Sequence, residues 1–115
     1  MIVSSQFPYL EIQITVRGHT VRDWAYMDTG FDGYVVVPRD QAQIFGPRDY
    51  VSLWELGDAS LAQAEEYLGQ VQLVGATETF LARITALGNE YIIGRALLDR
   101  WCILLNRGRR VEVEL

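Results

Sequence analysis

Ala25-Tyr26-Met27-Asp28-Thr29-Gly30-Phe31-Asp32-Gly33-Tyr34-Val35-Val36-Val37-Pro38 is the stretch around which the chain is organised. An apolar segment delivers a carboxylate, Asp28, into a tight turn holding a second acid and two glycines. A β-branched run then leaves the turn and stops at Pro38. Tyr34–Val37 is too short for a helix and apolar enough to be a strand buried on both faces. Upstream, Tyr9–Val16 alternates Leu10, Ile12, Ile14 and Val16 with polar residues, the period-2 signature of a half-buried strand. Gly18-His19 predicts a hairpin turn, and Val21–Met27 the returning strand. Downstream, Pro38 opens a short helix over Arg39–Phe45 that Gly46-Pro47 stops.

The rest of the chain is also β-rich. Tyr50–Leu56 is expected as a strand ending in the turn cluster Gly57-Asp58-Ala59-Ser60. Leu61–Val74 is expected as strand, although Leu61–Glu66 carries helical propensity. Strands are expected again at Thr77–Leu87, Tyr91–Ile93, Cys102–Leu105 and Arg110–Leu115, with two helical turns over Arg95–Trp101.

The 115 residues, half of them apolar and 22% charged, predict one domain over 1–115 and exclude a disordered tail. Apolar runs are too short to cross a bilayer, so no membrane partner is expected. The first residues do not read as a secretion signal, which makes the cytoplasm the default location. Net charge is −5, and an acidic chain is a poor partner for nucleic acid. One cysteine, Cys102, and one histidine, His19, exclude an internal disulfide and a Cys/His zinc cluster, so no metal is expected. His19 reads as a solvated turn residue and Cys102 as a small buried hydrophobe. An enzyme of this composition must work with carboxylates.

Asp28-Thr29-Gly30 alone is a weak signal, equally readable as a turn in which Asp28 caps backbone and Gly30 supplies a positive φ. A second feature lies downstream: Ile92-Ile93-Gly94-Arg95-Ala96-Leu97-Leu98, an apolar pair ending on glycine, then arginine and a short amphipathic helix. Together and in this order, the two motifs resemble the retropepsin-like aspartic proteases. Asp28-Thr29-Gly30 matches the catalytic triplet, and the second motif the apolar-apolar-Gly-Arg-x-Leu-Leu run near the end of retroviral members. Phe31 and Pro38 are similar to the small prokaryotic members. The resemblance implies a mainly β fold: a retropepsin-like closed β-barrel with one or two short helices and a flap hairpin, assembled as a homodimer.

Amide hydrolysis without metal, Ser or Cys needs a base for water and an acid for the leaving nitrogen. Two adjacent carboxylates sharing one proton meet both needs. The chain has one Asp-Thr-Gly, so a two-fold axis must pair Asp28 of two subunits. The resemblance implies an aspartic endopeptidase that takes a peptide or protein substrate, needs no cofactor, and prefers acidic to near-neutral pH. Thr29 would bond across the axis, Gly30 would let backbone approach substrate, and Gly94 would pack behind the catalytic loop. Arg95 would fork onto Asp32, or else be a solvated arginine. Gly57-Asp58-Ala59-Ser60 would form the flap tip, with Trp54 and Leu56 facing substrate; the alternative is an ordinary hairpin with Trp54 in the core. Arg110–Leu115 would join an intersubunit sheet or pair only within its own subunit. Alternatives to the protease are a catalytically silent dimeric or peptide-binding module of the same fold, and a monomeric barrel.

Overall fold

Period-2 alternation is what lays down the first hairpin. In the computed structural model, which describes residues 1–115, β1 is Ile2–Ser4, β2 is Tyr9–Val16 and β3 is His19–Met27. Leu10, Ile12, Ile14 and Val16 of β2 all point inward and are at most 1% exposed. Arg17 and Gly18 make the β2–β3 turn with φ of 48° and 81°, the left-handed pair that a two-residue hairpin requires. His19 therefore lies one residue past the expected turn position, as the exposed first residue of β3.

The remaining elements are β4 (Val35–Val37), a 3₁₀ helix (Gln41–Phe45), β5 (Tyr50–Glu55), β6 (Leu61–Leu73), β7 (Thr79–Ala86), β8 (Ile92–Ile93), α1 (Arg95–Leu98), β9 (Cys102–Asn106) and β10 (Arg110–Glu114). Strands β2-β3-β8-β4-β7-β6 follow one another, and β6 returns to β2, closing a six-stranded barrel. Closure removes the unpaired edges that a flat sheet would carry. It also demands close approach, which Gly69 permits: a Cβ there would sit 2.5 Å from the Thr15 carbonyl oxygen. β4 lies inside the barrel wall with all three valines buried, as its apolar run predicts. β8 is inserted between β3, to which it is parallel, and β4, to which it is antiparallel. This insertion carries Ile92-Ile93 and the following Gly94 up beside the end of β3, where Asp28 begins.

Leu61–Glu66 is strand despite its helical propensity, because pairing with β5 along its whole length, joined by β7 at Glu65 and Glu66, overrides local preference. The first half of β6 pairs with β5 to form a projecting hairpin, and the second half belongs to the barrel. The two helices are shorter than expected. Arg39–Phe45 shrinks to the 3₁₀ turn, which Gly46 ends with a φ of 78°, and Arg95–Trp101 to the single turn α1, followed by tighter turns through Trp101.

A second sheet, ordered β1-β10-β9, covers one end of the barrel. Val111 and Val113 of β10 enter the core and are fully buried. Both edges of Arg110–Glu114 are occupied within its own chain, so the intersubunit role for Arg110–Leu115 is not available. Cys102 is exposed, not buried, because it begins the outer strand of this sheet. No helix is long and apolar enough to cross a membrane.

Candidate active site

Asp28 leaves the barrel at the end of β3 and is half-buried. Its amide donates to the Ile93 carbonyl at 3.0 Å, which anchors it to β8. Its Oδ1 accepts the Gly30 N–H at 2.9 Å, so the carboxylate is oriented by the loop that follows it. The Phe31 N–H donates to the Asp28 carbonyl at 3.2 Å and closes the turn. Gly30 is not in the left-handed region. Space, not φ, is what it supplies, since a Cβ there would lie 3.2 Å from Asp28 Oδ1. Thr29 is exposed at the loop crest.

The second motif is stitched to this loop through backbone. The N–H groups of Gly94, Arg95 and Ala96 donate to the carbonyls of Tyr34, Phe31 and Gly33 at 2.9, 2.8 and 3.1 Å. Gly94 has ordinary extended backbone, φ −108°, yet any side chain there would collide with the Gly33 carbonyl and the Phe31 ring. A side chain on Gly33 would likewise strike Phe31. Two glycines thus form a slot for the Phe31 ring.

The expected Arg95–Asp32 fork is absent. Arg95 donates instead to Asp99, Nε at 3.4 Å and Nη2 at 3.2 Å, one helical turn along. An i,i+4 partner on the same short helix is already within reach, whereas Asp32 sits exposed on the loop. Both side chains of the Arg95–Asp99 pair are more than half exposed, so the pair contributes little, about 0.3–0.5 kcal/mol.

A cleft of about 950 Å³ opens over Asp28 and Gly30. Phe31, Trp54, Leu56 and Gly57 form one side, and Leu87, Glu90 and Ile92 stand among the residues of the rest. The β5–β6 hairpin therefore overhangs Asp28. Asp58, Ala59 and Ser60 make its tip and do not line the cleft. At that tip Ala59 takes φ 66°, the Leu56 N–H donates to Ser60 O at 2.8 Å, and Asp58 Oδ1 accepts both the amide and the hydroxyl of Ser60. Those bonds, the hydroxyl first, hold the Asp58 carboxyl below its ordinary range. The turn's gain is accordingly full above the ordinary aspartate range and is lost as pH falls through the lowered value. Exchange of the Ser60 amide is expected to accelerate in acid once ordinary aspartates have already protonated. An amide that exchanges with no such acid step would remove this account of the tip.

Trp54 is neither in the core nor free to face substrate alone. Its ring packs on Phe31, centroids 5.3 Å apart, and its Nε1 donates to Glu66 Oε2 at 3.1 Å. Glu66 is 1% exposed and was given no role from the sequence. Strand alternation from Ala62 and Ala64 was the signal that turns it inward.

No protein-family model matches the sequence, and no curated protein matches it. Among solved structures, the chain is similar to a retropepsin-like aspartic protease from Rickettsia conorii. The TM-score is 0.66 at 15% identity, over 97% of this chain and 88% of that one. It is also similar to the Simian Foamy Virus (mac) protease, with TM-score 0.54 at 16% identity, over 79% of this chain and 91% of that one. The fold is retropepsin-like. Within this fold the sequence-based residues separate into three groups. Asp28, Gly30, Trp54, Leu56 and Gly57 meet at one cleft. Gly94 and the backbone of Arg95 support the loop from behind, while Thr29, Asp32, the Arg95 guanidinium and Asp58, Ala59 and Ser60 are exposed and do not line the cleft.

Proposed function

We propose that the chain is an aspartic endopeptidase that works as a two-fold dimer on extended peptides. The observation that carries this reading is the oriented Asp28 carboxylate at the base of a cleft overhung by the β5–β6 hairpin, in a retropepsin-like fold. One carboxylate supplies half of what the reaction needs. Asp32 is exposed and does not line the cleft, Glu55 and Glu90 line it on other elements, and this reading takes Asp28 of a second copy as the second acid. Two such groups at hydrogen-bonding distance share one proton. The ionised member takes a proton from water as that water attacks the scissile carbonyl, and the protonated member donates to the departing nitrogen. The substrate lies along the hairpin as an added strand. Asp58, Ala59 and Ser60 set the shape of the flap tip, and Thr29 at the loop crest faces the second copy.

The supporting sheet offers an edge for that copy. β10 is enclosed between β1 and β9, which leaves the outer side of β9 unpaired in the chain. Leu104 and Leu105 on this strand are exposed. β9 follows three residues after α1, whose first residues back the Asp28 loop. Cleavage of an apolar peptide should be blocked by a statine-type inhibitor, whose hydroxyl stands in for the attacking water. Specific activity should fall on dilution in step with dissociation measured by sedimentation. Full activity from a monomer contradicts the proposal, as does a stable dimer that cuts nothing.

A further inference from the structure

We propose that Glu66 is a positioning residue: a buried acceptor at the root of the β5–β6 hairpin that holds Trp54 against Phe31 and so fixes the cleft wall beside Asp28. Glu66 stands where the hairpin leaves the barrel. It is the cross-strand neighbour of Tyr50 on β5 and of Thr85 on β7. Its side chain is 1% exposed and makes no salt bridge. A buried carboxyl group with no ion-pair partner in contact is retained only where donors surround it.

Three side-chain donors do so. Ser52 Oγ and Trp54 Nε1, both from β5, donate to Oε2 at 2.6 and 3.1 Å, and Thr85 Oγ1 from β7 donates to Oε1 at 2.7 Å. Beside the backbone pairing, these bonds help to fasten the projecting strand to the barrel. Ala62 and Ala64 precede Glu66 on the same face of β6 and oppose Trp54 and Ser52, so nothing bulky keeps those side chains from leaning toward the carboxyl group. The far side of the Trp54 ring continues the chain of contacts. It meets Phe31, whose ring is seated in the slot left by Gly33 and Gly94, and Phe31 follows the Asp28-Thr29-Gly30 turn directly.

Hairpin and catalytic loop are thereby joined inside one subunit, through side chains alone. An overhang pinned at its root binds peptide in a prepared groove, and one released there must be ordered by each substrate. Glu66 touches neither substrate nor Asp28, so its loss acts on binding and leaves the chemical step in place.

Glu66→Leu and Glu66→Gln separate this role from a general one in stability. The glutamine keeps an oxygen for Ser52 and Trp54, and its amide meets Thr85, whose hydroxyl can turn to accept. The leucine strands all three donors. In Glu66→Leu, hydrogen exchange at the Trp54 indole and the β5 amides should rise about tenfold or more while β2 and β7 amides hold. KM for a peptide should rise about tenfold with kcat within about twofold, and Glu66→Gln should restore both. The catalytic part rests on the protease reading, but exchange is read without any turnover. An inactive protein with the expected exchange pattern sinks that reading alone. Exchange that is unchanged, or uniformly faster across the barrel, overturns the latch. If the leucine variant does not fold, Trp54→Phe removes one donor and keeps the ring. Faster β5 exchange in that variant supports the proposal, and unchanged exchange overturns it.

Discussion

Asp28→Asn is expected to abolish peptide cleavage, lowering kcat by on the order of 10³-fold or more, while the protein stays folded. The amide removes the group that accepts a proton from water and donates one to nitrogen. It keeps the oxygen that receives the Gly30 N–H, so the loop has no reason to move. Because the proposed site draws one acid from each subunit, the substitution also acts on its partner. An equal mixture of native and Asp28→Asn chains, allowed to exchange, should retain about one quarter of the cleavage rate, the fraction of fully native pairs. One half would mean that each chain carries a complete site. Peptide cleavage monitored against the fraction of variant chain checks both statements, with circular dichroism to confirm the fold.

Gly94→Ala is expected to cost about 1–3 kcal/mol of stability and to impair cleavage as well. The added methyl has no φ penalty to face, since Gly94 is already extended. Its difficulty is steric: backbone oxygens of Gly33 and Phe31, and the Phe31 ring, occupy the space. Backbone cannot yield there without breaking the Arg95 N–H to Phe31 and Ala96 N–H to Gly33 bonds. These are the bonds that seat the Asp28 loop on the second motif. Urea unfolding reads the stability effect. An alanine variant as stable as the native chain would show that the slot has room to spare.

Much of the architecture is legible in residue order because it rests on local pattern. Alternation in Tyr9–Val16 sets which side of β2 is core, and the continuous valines of Val35–Val37 announce a strand covered on both faces. Asp28-Thr29-Gly30 and Ile92–Leu98 point to each other only through resemblance, yet both arrive at the same loop. What stays hidden depends on contacts between distant elements or on competition among equals. Arg95 had two carboxylates within plausible reach, and sequence does not say that the i,i+4 partner Asp99 wins over Asp32. Three residues, Ile2–Ser4, are too few to carry a period, and β1 exists because β10 offers an edge. Glu66 is concealed for another reason. Its charge suggests solvent, and its burial becomes visible only when Ser52, Trp54 and Thr85 are brought around it.

Phe31 shows how one residue is read differently at the two levels. In sequence it is a point of likeness to the small prokaryotic members, with no assigned task. In the fold it fills the slot made by Gly33 and Gly94 and meets Trp54 from the overhanging hairpin. Gly33, which reads as loop punctuation in the sequence, is thus part of the packing beneath the cleft.

A crystal structure of the protein with a statine-type peptide bound tests the pairing of acids most directly. Two copies related by a two-fold axis should enclose one inhibitor, with both Asp28 carboxylates at hydrogen-bonding distance from each other and from its hydroxyl. An inhibitor held by a single chain, or a dimer that leaves the two Asp28 side chains apart, would contradict the account.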